Sequence, residues 1–201
     1  MTLAGNIGLA LALTFGVSPA MSFGDSIPEG QMTVVVRHGP GVDAVILKRG
    51  LEEAARLYLR GGVAIEWREW AVGNDHRHLY LIVVRRDTVR SEAPNFALGT
   101  TPREPGKTGR ISYVFLEPIE MLAAAHGVDA SSLLGAAIAH ELAHLLLPNR
   151  PHTQGGLMRA LWGGAEAKAA NRGMLRFLPS DFTAMLSPGS PFIATRLQEL
   201  P

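Results

Sequence analysis

The spacing of apolar residues divides the first half of the chain into short strands and one long helix. Alternating or continuous runs of β-branched and other apolar residues predict strands over residues 32–37, 63–70 and 79–84. Between the first two, apolar residues recur at helical spacing over residues 42–60. The run LYLIVV at 79–84 has no polar position, which is typical of a central strand that is covered on both faces.

The second half of the chain predicts two more strands and then mainly helices. Residues 96–101 (FALGTT) form a candidate edge strand, and residues 111–115 (ISYVF) form a further strand. Helices are predicted over residues 118–126, 131–147 and 180–186, the last with Ser180 or Asp181 as its N-cap. This order indicates an α+β fold around one mixed, twisted sheet of about four to five strands.

Length, charge and composition narrow the class of protein. The 201 residues suffice for a single domain with a buried core, which we place over residues 23–201. A net charge of +1 favours neither a nucleic-acid surface nor a polybasic membrane anchor, so we expect no nucleic-acid partner. The chain has no cysteine, which excludes disulfides, thiolate metal sites and cysteine nucleophiles. Catalytic chemistry would therefore use histidines, carboxylates and hydroxyl groups.

The N-terminus has the pattern of a targeting segment. The apolar run IGLALALTFGV at residues 7–17 has the length of a signal-peptide core, and the small residues of SPAMS follow it. The run is too short for a comfortable transmembrane helix. We therefore predict a cleaved signal peptide over residues 1–22 and a secreted or periplasmic mature protein without stable membrane insertion.

Two histidines and a glutamate interrupt the most apolar predicted helix, residues 131–147. His140 and His144 are four residues apart, which places them about 40° apart around the helix axis and roughly 6 Å apart along it. Both imidazoles can therefore reach one metal ion, and Glu141 can reach a water on that metal. A buried helix has no structural use for three polar groups unless they are paired or ligated. The H-E-x-x-H pattern predicts two zinc ligands and a general base.

A catalytic zinc site needs a third protein ligand, and the sequence offers two candidates. His152 follows His144 by eight residues, beyond Pro148, where the chain can double back to the same metal. Glu166 follows His144 by 22 residues in a small polar helix, AEAKAA, and would be the third ligand of a gluzincin-type peptidase. Pro148 and Pro151 stiffen the shorter connection, which favours His152.

The segment from His140 to Met158 resembles the active site of metzincin zinc metallopeptidases, whose pattern is H-E-x-x-H-x-x-G-x-x-H followed by a Met-turn. It is also similar to small secreted bacterial zincin-like proteins that have the longer ending of the motif and a downstream Gly-Ile/Leu-Met-Arg. The resemblance implies that His140, His144 and His152 bind zinc. It makes Glu141 the general base and Met158 the apolar floor beneath the metal.

The same resemblance implies the architecture and the activity. We expect a zincin or metzincin-like fold in which the edge strand FALGTT lines the substrate cleft, with an active-site helix and a C-terminal helix. The expected protein is a secreted bacterial zinc endopeptidase, a monomer that hydrolyses peptides or proteins. The alternative is a zincin fold kept as a metal-dependent binding or regulatory module with little hydrolysis.

The sequence departs from the metzincin pattern after the second histidine. Leu147 stands where that family has a turn-forming glycine, and His152 comes two residues later than the family's third histidine. We therefore expect a different turn, with Asn149 in a left-handed conformation.

A second histidine pair, His76 and His78, occurs in the segment DHRH. Its spacing could hold another metal ion in a loop. A solvated polar turn between two predicted strands explains the same residues, and the sequence leaves both interpretations open.

Overall fold

The computed structural model describes residues 30–70, 78–86, 93–94, 96–102, 109–147, 150–188 and 190. The predicted signal peptide, His76, Pro148 and Asn149 lie outside the described residues. Within these ranges the chain forms five strands and five helices, which agrees with the predicted α+β class.

The strands are β1 (Gly30–His38), β2 (Val63–Glu69), β3 (Leu79–Val84), β4 (Gly99–Thr100) and β5 (Ile111–Phe115). The helices are α1 (Ala44–Leu59), α2 (Leu116–His126), α3 (Ala130–Leu146), α4 (Gly164–Asn171) and α5 (Pro179–Met185). In the part of the chain described here, no helix combines the length and the apolar character needed to cross a lipid bilayer.

The five strands form one mixed sheet in the order β2-β1-β3-β5-β4. β1 pairs in parallel with β2 and β3, and β3 pairs in parallel with β5. β4 runs antiparallel to β5, with Gly99 opposite Val114 and Thr100 opposite Tyr113. The mixed sheet and the position of β4 at its edge agree with the prediction.

The predicted strand bounds hold for β3 and β5. β1 is longer at both ends than predicted, β2 ends one residue earlier, and β4 is much shorter. Of the predicted strand 96–101, Gly99 and Thr100 form β4, and Leu98 O accepts one further hydrogen bond, from Phe115 N of β5 at 2.8 Å. Phe96, at the start of that segment, is 68% exposed. An edge strand extends only as far as its single neighbour pairs with it, so apolar character alone over-predicts its length.

The helix that carries the H-E-x-x-H pattern is α3, and it begins one residue before the predicted start. Asp129 is its N-cap, and Asp129 Oδ1 accepts hydrogen bonds of 2.8 Å from both Ser131 N and Ser131 Oγ. The helix ends at Leu146, and Leu147 has φ −125° and ψ 57°. Leu147 therefore leaves the helix without the left-handed turn that a glycine commonly provides.

The predicted N-cap of the last helix is wrong. α5 begins at Pro179, so Leu178 is its N-cap, and neither Ser180 nor Asp181 holds that position. Proline suits the first helical position because its φ is already helical and the N–H that it lacks has no partner there. Asp181 is the third helical residue instead, and its Oδ2 accepts a hydrogen bond from Leu178 N at 2.8 Å.

α3 is buried along most of its length because it packs against α1, α2, α4 and β5; 14 of its 17 residues are buried. The fully buried Tyr58 of α1 donates a hydrogen bond from its hydroxyl to Ala139 O at 2.9 Å. Burial, and secondarily the charge of Asp181, raises the pKa of Tyr58 well above 10.0, so the hydroxyl stays a donor. This bond ties α1 to α3 one residue before His140.

Candidate metal centre

Two predicted site residues lie one turn apart on the same face of α3. The Nε2 atoms of His140 and His144 are 3.1 Å apart, and the two rings meet edge to face with centroids 4.7 Å apart. His140 is buried and His144 is half-buried. The four-residue spacing therefore brings both imidazoles to one point, as helix geometry predicts.

A backbone carbonyl orients the His140 ring. Its Nδ1 lies 2.8 Å from Leu157 O, which can only accept a hydrogen bond, so Nδ1 carries the proton and Nε2 presents a lone pair. Burial lowers the pKa of His140 from 6.5 to about 4, although the bond to Leu157 raises it and the nearby His152 lowers it further. The ring is therefore neutral near pH 7, which is the form that binds a metal.

His152 completes a group of three imidazoles. Its Nε2 lies 3.1 Å from His144 Nε2, and its ring stacks on that of His140 with centroids 5.3 Å apart. One ligand atom from each of the three lies within 4.8 Å of the others. Nitrogens at about 2.0–2.1 Å from a tetrahedral metal are roughly 3.3 Å apart, close to this spacing. The three histidines, here called the His cluster, could therefore bind a metal ion.

Glu166, the rival third ligand, is engaged elsewhere and is not a member of the His cluster. Its Oε2 accepts a hydrogen bond of 2.9 Å from Gly163 N at the start of α4, and its Oε1 pairs with Arg159 Nη1. Burial raises the pKa of the Glu166 carboxyl, but these backbone and arginine contacts outweigh it and lower the pKa below its usual value.

The loop that carries His152 is braced immediately after it. Thr153 N donates to Met158 O at 2.9 Å, and Thr153 Oγ1 donates to Gly155 O at 2.7 Å. These two bonds close residues 153–158 into a compact turn, so the position of His152 is linked to that of Met158.

The turn also places Leu157 and Met158. Gly156 has φ 73°, and a Cβ there would lie 2.9 Å from Arg176 O, so this position favours glycine both for its backbone angle and for the space. Met158 is buried in the hydrophobic core, and its neighbour Leu157 supplies the carbonyl that orients His140. The turn at Gly155-Gly156 thus presents a hydrogen-bond acceptor to the His cluster.

Glu141 is buried and is held by two hydroxyl groups. Thr101 Oγ1 is 2.8 Å from Glu141 Oε2 and 3.0 Å from Glu141 O. Ser112 Oγ, also buried, is 3.0 Å from Glu141 O and 2.9 Å from Thr101 Oγ1. If Ser112 donates to the backbone carbonyl and Thr101 to the carboxylate, each hydroxyl proton is used once. Gly99 permits this approach of β4, because a Cβ there would lie 2.5 Å from Glu141 Cγ.

The His cluster and Glu141 line one cleft of about 800 Å³. β4 contributes Gly99 and Thr100 to its lining. Phe96 and Leu161, both largely exposed, and Trp162 add apolar surface to the same cleft. The Trp162 ring meets that of His140 edge to face, with centroids 5.7 Å apart. The cleft thus contains the His cluster, which could bind a metal ion, and the carboxylate of Glu141, and the edge strand β4 borders it.

The second histidine pair is described only in part. His78 precedes β3 and is half-buried, and His76 lies outside the described residues. Among the residues that the structure describes, the His cluster is the group of three or more histidine, aspartate or glutamate side chains that could hold a metal ion.

Some residues around the centre carry no signal in the sequence. Thr101 and Ser112 are 40 and 29 positions from Glu141, and Arg150, in the cleft lining, binds Ser180 30 positions away. Contacts between such distant segments produce no periodic pattern, because they form only once the sheet edge packs against α3 and α5 meets the loop that carries Arg150.

Comparison with known proteins adds no family to these observations. No protein-family model matches the chain, and no curated protein matches its sequence. The function must therefore be inferred from the His cluster, Glu141 and the cleft that they line.

Proposed function

We propose that this chain is a secreted or periplasmic zinc-dependent endopeptidase with a metzincin-like, zincin-type catalytic domain. The observation that carries the proposal is the meeting of three imidazole ligand atoms with a carboxylate in one cleft. Isolated histidine clusters bind metals without catalysis, but a carboxylate one residue from a ligand is placed to move a proton.

Zinc is the metal that we propose for the His cluster. Three neutral imidazoles suit zinc, and a set of three protein ligands leaves a coordination position open, as in catalytic sites. When bound, zinc supplies Lewis acidity, which polarises a peptide carbonyl and lowers the pKa of a water molecule toward about 7. The bond from His140 Nδ1 to Leu157 O at 2.8 Å keeps the proton on Nδ1 and leaves the Nε2 lone pair free for the metal.

Glu141 is the proposed general base. Thr101 holds its Oε2 at 2.8 Å, so the carboxylate is oriented before a substrate arrives. The oxygen of water forms a bond to the peptide carbonyl carbon while Glu141 accepts the proton. The carbon–nitrogen bond then breaks as Glu141 passes that proton to the leaving amine. One water and one peptide bond yield one carboxylate and one amine.

The proposed substrate is an extended peptide. β4 is an edge strand with β5 as its neighbour in the sheet, and it lines the cleft beside Glu141. A sheet edge offers backbone groups to which a peptide can add as a further strand. Phe96 and Leu161 in the cleft lining fit apolar side chains of such a peptide.

Replacing Glu141 with glutamine separates hydrolysis from metal binding. The amide cannot accept the proton of water, so we expect Glu141→Gln to keep its zinc and to lose at least about 100-fold in kcat/KM. The measurement compares cleavage of an unfolded protein and of a peptide library by the wild type and the variant, with zinc content determined on the same samples. Glu52→Gln, at an exposed position of α1, is the matched control and should behave as the wild type.

Equal cleavage by the wild type and Glu141→Gln would assign the activity to a contaminant and contradict the proposal. A wild type that binds zinc but cleaves neither the unfolded protein nor the library would favour the alternative, a metal-dependent binding or regulatory module on the same fold.

A further inference from the structure

His152 is the member of the His cluster that does not belong to α3, and it is exposed. Helix geometry fixes His140 and His144 relative to each other, but it cannot fix His152. An exposed ligand on a loop is held by the contacts of its neighbours in the chain. Thr153 supplies such contacts on one side of His152, through its bonds to Met158 O and Gly155 O.

Arg150 supplies contacts on the other side, two residues before His152. Its Nη1 donates to Ser180 O, and its Nη2 donates to Ser180 Oγ at 2.8 Å. The same Nη2 lies 3.3 Å from Asp181 Oδ1. A planar guanidinium that binds a carbonyl, a hydroxyl and a carboxylate at once fixes its own position far better than a single ion pair would.

Asp181 makes this contact more than a surface ion pair, because its side chain is fully buried whereas that of Arg150 is 27% exposed. Oδ2 accepts the hydrogen bond from Leu178 N, and Oδ1 has no hydrogen bond within the described part of the chain but faces Arg150. A buried carboxylate is strongly unfavourable without a nearby cation. The buried carboxylate of Asp181 in α5 therefore attracts the Arg150 side chain, which holds the loop that carries Arg150 against α5.

We propose that Arg150 and Asp181 form a clamp that positions His152 as the third metal ligand. The clamp rests on the metal centre of the proposed function. It holds one end of the segment 150–153 against α5, while Thr153 holds the other end against the turn that contains Met158. Arg150 acts through His152 and is thus a positioning residue. The clamp adds to a backbone contact with the end of α3, because Arg150 N donates to Leu147 O at 3.1 Å.

A double-mutant cycle on zinc affinity tests the clamp, with zinc alone as the probe. We expect Arg150→Ala to weaken zinc binding about 10- to 100-fold, as loss of a residue that orients a ligand typically does. We expect His152→Ala to weaken it at least as much, and the double variant to bind zinc like His152→Ala, because Arg150 has nothing left to position. Zinc dissociation constants are measured by competition with a chelator, and the melting temperature of each metal-free variant is recorded in parallel.

Each other outcome contradicts the clamp in a distinguishable way. A folded Arg150→Ala that binds zinc like the wild type overturns the clamp and leaves the metal centre intact. An equal loss of affinity from Arg150→Ala in the wild-type and His152→Ala backgrounds assigns the effect to general destabilisation and overturns it as well. A wild type that binds no zinc overturns the metal centre of the proposed function, and the clamp with it.

Two further variants keep the test decisive if Arg150→Ala does not fold. Asp181→Asn keeps the size of the side chain and an oxygen for Leu178 N but removes the charge that attracts Arg150, so zinc binding should weaken in the same direction. Arg60→Ala is the matched control, because Arg60 donates to Gly173 O at 3.1 Å outside the cleft and its loss should leave zinc affinity unchanged. Unchanged affinity in a folded Asp181→Asn overturns the clamp.

Discussion

Two hydroxyl groups, those of Thr101 and Ser112, contact Glu141 and orient its carboxylate. Thr101 Oγ1 and Ser112 Oγ are 2.9 Å apart, and each hydroxyl can donate one hydrogen bond. If Ser112 Oγ donates its hydrogen bond to the backbone carbonyl of Glu141, Thr101 Oγ1 can donate to the Glu141 carboxylate at 2.8 Å. A charge-assisted hydrogen bond of this kind fixes a carboxylate more firmly than a neutral one does.

Thr101→Val tests this orientation, because valine keeps the shape of threonine and lacks only its hydroxyl. A hydrogen bond to a charged group contributes about 1.5–3 kcal/mol, so we expect kcat to fall roughly 10- to 100-fold with KM and zinc affinity unchanged. Thr101→Ser keeps the hydroxyl and should retain most of the activity. Steady-state kinetics on one peptide substrate measure the difference. A loss of equal size in both variants would show that packing, not the hydrogen bond, is what matters.

Tyr58 is a second single residue with a testable effect, in this case on the stability of the folded chain. Its pKa is raised by burial in the folded chain, so ionisation disfavours folding. The stabilisation from neutral Tyr58 is complete below pH 10.0, the usual pKa, and is lost as the pH rises from there toward the raised folded pKa, because the unfolded chain ionises first. Tyr58→Phe removes this loss and, by removing the bond to Ala139 O, costs on the order of 1 kcal/mol at pH 7.

Urea unfolding between about pH 7 and 11 checks this prediction for Tyr58. The stability of the wild type should decline more steeply above pH 10 than that of Tyr58→Phe. Parallel curves for the two proteins would contradict the assignment of that decline to Tyr58.

Among the elements, α4 and the loop after Met158 support each other through one ion pair. Arg159 directly follows Met158, and Glu166 binds both Arg159 and the N–H of Gly163, the N-cap of α4. Glu166 therefore has a structural explanation that needs no metal. The same contacts explain why the gluzincin-type alternative gains no support from the position of this carboxylate.

The comparison of His152→Ala with Glu166→Ala decides between the two candidate third ligands. His152→Ala should weaken zinc binding at least about 100-fold, more than the loss of a residue that merely orients a ligand. Glu166→Ala should leave zinc affinity unchanged and lower the free energy of unfolding by about 1 kcal/mol, because α4 loses its N-terminal acceptor. Zinc titration and urea unfolding measure the two effects. The reverse pattern would refute the metzincin-like assignment.

Elements with a strong local signal were predictable, and contacts between distant segments were not. The strands at 79–84 and 111–115 and the helix α3 follow from apolar runs in the sequence. The start of α5 was predicted wrongly because Asp181 resembles an N-cap in sequence, although Pro179 already fixes the first helical residue. The roles of Thr101 and Arg150 depend on tertiary packing, which no local pattern encodes.

At the scale of the whole molecule, one cleft is lined by the sheet edge at β4, by the buried helix α3 and by the later segments 150–152 and 159–162. Spacing on α3 was enough to predict that His140 and His144 meet, because both lie on one rigid helix. The short connection that Pro148 and Pro151 stiffen favours His152 over Glu166 in the sequence, and the structure brings His152 to the cluster. The mixed sheet was predictable from the order of elements, whereas its strand order was not.

The coordination of bound zinc is the most direct measurement of the proposed metal centre. X-ray absorption at the zinc edge, on purified protein equilibrated with zinc, reports the number and type of ligands. We expect one zinc per chain, bound by three imidazole nitrogens at about 2.0–2.1 Å and by one further oxygen. Protein that stays free of zinc, or zinc with fewer than three imidazole ligands, would contradict the metal centre on which the proposed function depends.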